Sequence, residues 1–410
     1  MKIIMISLFV IAILGGFLSD KNKKIEYLIM GIYFILAAFL FTSDSTYCDY
    51  QNYLKYYLDT GNGSPPNVEF IYVFLMKISN YIGMSFTQFR FVIILLQIVL
   101  INSTFKRYGS KLSFVWAVFL IFPGLYLTEL LRYATAVSIL IFGIRYLIED
   151  KKFNSIKYLL TIIIAYGFHK TFLFFILLLF IKFVKNNRKK TLIFYSGFTI
   201  MALLAIYLVF DLHLFSASNI LKIGYLMAGW HKFQDVHSIT LKYLLYNLGK
   251  IVIMISWAHI VIYLYNLKFK TNDQMRNTNV LSQKFMNFVI PLNYSILTLL
   301  IPLSFARNSN RFYYFYFIAN IIATGICLVE YPYKKYNIKD FKIELKEFNL
   351  KSPIFKAYIE NNGRVIIKLT ILIPVIIFSF CTLVLDSNKT IFMLRELFTA
   401  NGFINFFNFD

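Results

Sequence analysis

An all-α polytopic integral membrane protein is the fold class this sequence predicts, and three observations predict it. Of 410 residues, 59% are hydrophobic and only 15% charged, with a mean hydropathy of +0.64. Apolar runs of roughly 20 residues recur from end to end, the length a helix needs to cross the hydrocarbon core of a bilayer. Lys and Arg, 42 against 20 Asp and Glu, collect in the short segments between those runs. A net charge of +22 would suggest nucleic acid in a soluble protein. Here it is the lysine and arginine excess that holds loops in the cytoplasm, and no nucleic-acid partner is expected. The 45 Phe and 30 Tyr fit lipid-facing surface and interfacial belts.

The runs predict about twelve spans. They begin with Lys2 to Leu18 and Ile25 to Phe41, then Gln88 to Phe105, Leu112 to Leu127 and Arg132 to Ile148. Ser155 to Phe168 and Thr171 to Val184 form a pair, followed by Thr191 to Asp211 and Tyr243 to Asn266. Phe285 to Ser304, Phe312 to Glu330 and Val365 to Leu385 complete the set. Residues 1–410 thus read as one transmembrane domain. Lys2 to Leu18 resembles a signal peptide but has no convincing small-residue cleavage site, so it reads as a span.

Loop charge fixes the pairing around His169. Ser155 to Val184 could be one overlong span or two short ones turning at Gly167-Phe-His-Lys170. With two spans, every basic loop falls on one side: Lys21 to Lys24, Lys106 to Lys111, Lys151/Lys152, Lys185 to Lys190, Lys268 to Arg276, and Lys334 to Arg364. With one, the later loops switch sides. The positive-inside bias therefore predicts the hairpin, with both termini outside.

The outer face then carries residues 42–87, 128–132, 169, 212–242 and 305–311. The 42–87 loop is acidic, with Asp44, Asp49, Asp59 and Glu69, and holds an amphipathic segment. Residues 212–242 form a second large outer loop, of a length that usually signals function. On the inner side, Phe341, Leu345 and Phe348 lie at helical spacing among lysines. Residues 331–364 so read as an interfacial helix on anionic lipid, or else as a solvated linker.

Charged groups at outer span ends are the candidates for chemistry, because a fixed charge in hydrocarbon is costly. Arg132 opens a span; its bland alternative is a local ion pair with Glu129. Arg307 and Arg311 bracket Asn-Ser-Asn and could hold one anion on a shared face. An arginine fork matches phosphate oxygens two at a time, so three such groups around an outward cavity suit a pyrophosphate. Arg90 enters its span from outside and could equally snorkel to lipid phosphate. His169 titrates in the range of a proton acceptor, against the commoner role of a hydrogen-bonded structural histidine. His213, His231 and His237 lack metal-ligand spacing, as do Cys48, Cys327 and Cys381, so neither metal nor cofactor is expected. The run Ser43 to Tyr57 mixes carboxylates, amides and aromatic rings, which suits sugar and equally an interfacial belt.

These pieces occur in a recognisable order: Asp49-x-x-x-Tyr53, then Glu69-x-x-Tyr72, Arg132-x-x-x-Ala136, and Phe168-His169-x-Thr171. The series resembles the EpsG/Wzy family of oligosaccharide-repeat-unit polymerases, in layout over roughly residues 25 to 330. The resemblance implies a GT-C-like, metal-independent membrane glycosyltransferase in the bacterial plasma membrane. Its substrates would be undecaprenyl-pyrophosphate-linked oligosaccharides at the outer face, and a chain-length regulator is a candidate partner. Taken with the residue chemistry, it places Arg132 at the donor pyrophosphate, His169 or Asp49 as catalytic base, and Tyr53, Glu69 and Tyr72 at sugar; Arg307, Arg311 and Arg90 join the donor site by their charge and position, and match no motif of the family.

Two other readings stay open. A flippase or other transporter of lipid-linked oligosaccharide should place its charges near mid-membrane and expose them alternately. An O-antigen ligase-like transferase would use the same donor with a different acceptor.

Overall fold

The computed structural model describes residues 10–16, 23–39, 49–124, 127, 130–149, 151–184, 187–211, 241–271, 280–303, 311–330, 368, 371 and 373–377. All regular structure among them is helical. We number the helices α1 (Lys23–Phe39), α2 (Asp49–Gly61), α3 (Phe70–Tyr81), α4 (Phe86–Arg107), α5 (Leu112–Phe119), α6 (Leu131–Gly143), α7 (Asn154–Tyr166), α8 (Arg188–Asp211), α9 (Leu241–Thr271), α10 (Val280–Ser295) and α11 (Tyr313–Glu330). Arg145–Ile148 continues α6, and a 3₁₀ helix, Lys170–Phe180, follows α7.

Three stretches are long and apolar enough to cross a membrane: Phe86–Arg107, Leu131–Ile148 and Leu245–Asn266. Leu112–Gly124, Asn154–Tyr166 and Tyr313–Val329 are apolar and shorter. The expected first and last spans lie largely outside the described residues, as do residues 331–364 and most of 212–242. The 42–87 loop is more structured than a loop: α2 and α3 fill much of it.

The surface is inverted relative to a water-soluble bundle. On α4, Val92, Leu95, Leu96 and Val99 are exposed, while Arg90, Gln97 and Thr104 are buried. Gln97 Nε2 donates to Leu131 O at 3.3 Å and Thr135 Oγ1 at 3.0 Å, and Thr104 Oγ1 donates to Ile141 O at 3.3 Å. Polar groups pairing between helices, with apolar side chains outward, is the arrangement hydrocarbon demands.

Local chemistry sets the helix ends. Ser85 Oγ accepts from Gln88 N at 3.3 Å and Gln88 Oε1 accepts from Ser85 N at 2.9 Å, a reciprocal cap that starts α4. Lys106 and Arg107 close it, where cations suit the helix dipole. A Cβ on Gly143 would lie 2.3 Å from Thr161 Cγ2, so only glycine permits this approach of α6 to α7.

The contacts also fix which helices run together. Partners of α4 on α6 rise in step, from Gln97 with Thr135 to Arg107 with Glu149, so the two are parallel. In α9 and α11, Tyr313 bonds Asn247, Asn320 bonds Met254 and Cys327 bonds Val261, each pair 66 residues apart in one parallel register. The chain reverses between α7 and the 3₁₀ helix: Tyr158 Oη donates to Phe175 O at 3.0 Å and Lys182 Nζ reaches Ser155 Oγ at 3.2 Å. The stretch around His169 is therefore a hairpin, as loop charge predicts. Lys111 N donates to Gly325 O at 3.1 Å and Ser282 Oγ to Tyr108 O at 2.7 Å. One end of the bundle thus gathers Arg107, Lys111, Glu149 and Lys182. Glu69, Arg132, His169 and Arg311 lie toward the other.

Candidate active site

The site is built around a helix start. Glu69 caps α3 in extended backbone, φ −63° and ψ 138°, and its side chain makes no bond to its own helix. Its carboxylate goes elsewhere: Oε2 pairs with Arg132 Nη1, and Oε1 accepts from Lys170 N at 3.2 Å. The first amides of α3 are turned outward as well. Ile71 N and Tyr72 N both donate to Gly167 O, at 3.0 and 3.3 Å. A Cβ on Gly167 would sit 2.4 Å from the Ile71 side chain, so glycine here lets α3 dock against the hairpin turn. The far face of α3 is held by α2: Tyr57 Oη lies 3.0 Å from Ser79 Oγ, and Asn80 Nδ2 donates to Tyr57 O at 3.2 Å.

Arg132 is the second residue of α6, and its guanidinium carbon lies 5.7 Å from the Tyr53 ring centre and 5.9 Å from Tyr56. Such contacts favour a cation sheltered from water. Arg132 Nε is buried and has no hydrogen-bond partner. Tyr53 and Tyr72 stand edge to face at 6.0 Å. Burial pushes the Tyr53 phenol up to about 12, against the opposing charge of Arg132. Arg90 is buried and lies 5.5 Å from the Tyr50 ring. It points into the protein and does not snorkel to lipid.

His169 begins the 3₁₀ helix from extended backbone, φ −157°. Its Nδ1 lies 2.7 Å from Thr171 Oγ1, and its ring meets Tyr133 edge-on at 5.3 Å. Tyr133 Oη donates to Arg311 O at 2.6 Å, which ties the start of α11 to this corner. Burial, then the charges of Arg132 and Arg311, push the imidazole well below its usual range. It is therefore neutral at physiological pH and able to accept a proton, though as a weak base.

The fold brings together Arg132, Glu69, Tyr53, Tyr72, His169 and Arg311, with Arg90 beside Tyr50. Asp49, the first residue of α2, lies one turn before Tyr53 and acts on its phenol. Arg307 and Glu129 lie outside the described residues. Arg132 finds a carboxylate 63 residues away in Glu69; the local-pair alternative with Glu129 falls on a residue outside the described ones. Glu69, with both oxygens engaged, and Tyr72, fully buried, present little to a sugar; Tyr56, half-buried over Arg132, is better placed.

Sequence reasoning missed Tyr56, Tyr133 and Lys250. The signals were adjacency to Arg132 for Tyr133, membership of the same aromatic run for Tyr56, and a lone lysine inside an apolar stretch for Lys250. Lys250 is buried 4.3 Å from the Tyr246 ring centre and 5.8 Å from Tyr313. Deeper in the bundle, Asn293 and Asn320 exchange side-chain hydrogen bonds at 2.7 and 3.0 Å, and His259 Nε2 lies 3.0 Å from Tyr294 Oη.

The corner therefore combines a guanidinium with a spare donor, a neutral imidazole and aromatic rings. Those groups can hold an anion, accept a proton and stack on a sugar. Neither a curated protein nor a solved structure matches the chain. Residues 26–343 match the sequence model of the EpsG family, and the chain belongs to that family.

Proposed function

We propose that this chain polymerises oligosaccharide repeats, moving the growing glycan from undecaprenyl pyrophosphate onto an incoming lipid-linked repeat at the outer face of the plasma membrane. Membership of the EpsG family points to a polysaccharide-polymerase type of activity in a membrane. The observation that carries the finer reading is the concentration of Arg132, Arg311 and His169 at one end of the bundle, with tyrosine rings beside them.

In the transfer, an acceptor hydroxyl oxygen bonds to the anomeric carbon of the glycan. The bond from that carbon to the pyrophosphate oxygen breaks, and its electron pair leaves with the pyrophosphate. Arg132 and Arg311, joined by Arg307 and Arg90, stabilise the charge that develops there. A single fixed donor of this kind is worth about 3–4 kcal/mol, or roughly a hundred- to a thousand-fold in rate. The hydroxyl proton passes to His169. In the tautomer whose Nδ1 donates to Thr171 Oγ1, the lone pair sits on Nε2. Asp49 is the second candidate for that role. Tyr53 and Tyr56 offer apolar faces to sugar rings. The reaction needs no metal in this scheme, and no cofactor. A chain-length regulator is the protein partner that such an activity would take.

Deletion of the gene followed by analysis of the surface glycan tests the reading. Loss of a polymerase leaves one repeat attached to its acceptor. Lipid-linked polymer would mean a ligase, and repeats trapped inside a flippase. Sidedness has its own test: a cysteine at Lys170 should react with an impermeant thiol reagent in intact cells or spheroplasts, and one at Lys151 should not. Labelling of Lys170 only after permeabilisation would overturn the outer-face site.

A further inference from the structure

The two carboxylate oxygens of Glu69 hold two different elements. One grips Arg132 at the start of α6 and the other grips the backbone of Lys170, the residue after His169. Glu69 itself is buried, and the α3 that carries it is docked on Gly167 of the same turn. It is the one side chain among the described residues seen to bond both the guanidinium and the imidazole-bearing turn.

Which guanidinium atom it takes matters. A guanidinium grips two anion oxygens best along an edge of parallel N–H bonds, and one such edge runs from Nε to Nη2. Glu69 occupies Nη1, on the far side of Nε, and Nε is left buried with no partner. A buried donor without a partner is costly to keep, so it marks a place where a ligand atom belongs.

We propose that Glu69 is a positioning residue: it fixes Arg132 so that the Nε–Nη2 edge faces the anion, and sets that edge against the His169 turn. The inference rests on the reading of Arg132 as a pyrophosphate ligand. It replaces the sugar-binding role expected for Glu69.

The proposal predicts the sign of an effect. Removing a carboxylate beside an anion site should tighten anion binding if charge alone matters. A positioning residue gives the opposite result. Binding of inorganic pyrophosphate to the purified full-length protein in lipid nanodiscs, measured by calorimetry, decides between them. Glu69→Ala should weaken binding by roughly tenfold or more, the scale of a hydrogen bond to a charged group. Glu69→Gln, which keeps one acceptor oxygen and the side-chain shape, should weaken it less, and serves alone if the alanine variant does not fold. In an Arg132→Ala background, neither change at Glu69 should have a further effect.

Tighter or unchanged binding in the Glu69 variants overturns the proposal, and so does an equal loss in both backgrounds. If the wild type does not bind pyrophosphate, or Arg132→Ala binds it as the wild type does, the pyrophosphate reading fails and takes this inference with it. If wild-type binding depends on Arg132 but not on Glu69, the inference fails alone.

Discussion

Two arginine–glutamate pairs stand at opposite ends of the bundle, and they differ in what the arginine has left to give. At one end Glu149 accepts from both Nε and Nη2 of Arg107, at 2.6 and 2.8 Å, and Lys151 adds a third contact at 3.4 Å. The side-on edge of Arg107 is consumed. At the other end Glu69 takes only Nη1 of Arg132, shares its second oxygen with the Lys170 amide, and leaves Nε without a partner. Both pairs join distant parts of the chain, and both cations lie at helix ends. A closed pair of this kind locks two elements; an open one locks two elements and keeps a donor for something else. On the proposed function, the number of nitrogens engaged, more than the presence of an ion pair, separates the structural arginine from the one that meets the donor.

The largest expected difference between the ends is in turnover. Arg132→Lys should lose about a hundred- to a thousand-fold in glycan transfer at normal protein level, because an ammonium cannot reproduce a fork. Arg107→Lys should leave transfer near wild type. Polymer length in cells and single-turnover transfer with purified protein read both. Full-length polymer from Arg132→Lys would erase the distinction.

His169→Ala should come next, with a loss of roughly a hundredfold in single-turnover rate. Because the imidazole lies well below its usual range, the acidic limb of the wild-type pH profile should fall below pH ~6.5. Wild-type turnover in His169→Ala, with a loss in Asp49→Asn, would move the base to the carboxylate.

Acid should undo the two ends in different windows. The folded protein resists protonating His169, whereas the unfolded chain takes up that proton near pH 6.5. This contribution is full above pH ~6.5 and is lost as pH falls from there toward the depressed folded value. The Arg107 hydrogen bonds hold the Glu149 carboxyl below its ordinary value, so its contribution is present above pH ~4.3 and lost at more acid pH. Melting temperatures across pH 3 to 8 should show both steps, with His169→Asn removing the first and Glu149→Gln the second.

The smallest effect should be on stability alone. Glu149→Gln should cost about 1–2 kcal/mol, less than a fully buried pair because the Arg107 side chain is 30% exposed. Its transfer activity should stay near wild type, and a large activity loss would mean that the Arg107 end also shapes the site.

Much of this was legible in the residues. The spacing of apolar runs foretells α4, α6 and α11 to within a few residues, and loop charge foretells the reversal at His169. Helix periodicity does not show that α2 and α3 fold back across the 42–87 stretch, because their apolar face becomes an inward face only when Gly167 is there to receive it. Arg90 was undecided between lipid and interior, since both fates place an arginine at a helix end; the Tyr50 ring and its burial settle it. Lys250 went unmarked inside an apolar run, although a charge there is informative by its cost alone.

The sequence by itself determined a helical membrane protein, the alternation of its helices, and the placing of Arg132 and His169 at helix ends. Hydrocarbon enforces all three, because an unpaired backbone or a charge at mid-depth is too costly to keep. Only the tertiary structure decided that Glu69 holds Arg132, that Nε is left over, and that a neutral imidazole sits beside them. Those outcomes depend on which side chains meet across 63 and 101 residues of chain, and on which atom of each is reached first. Periodicity along one helix carries no information about either.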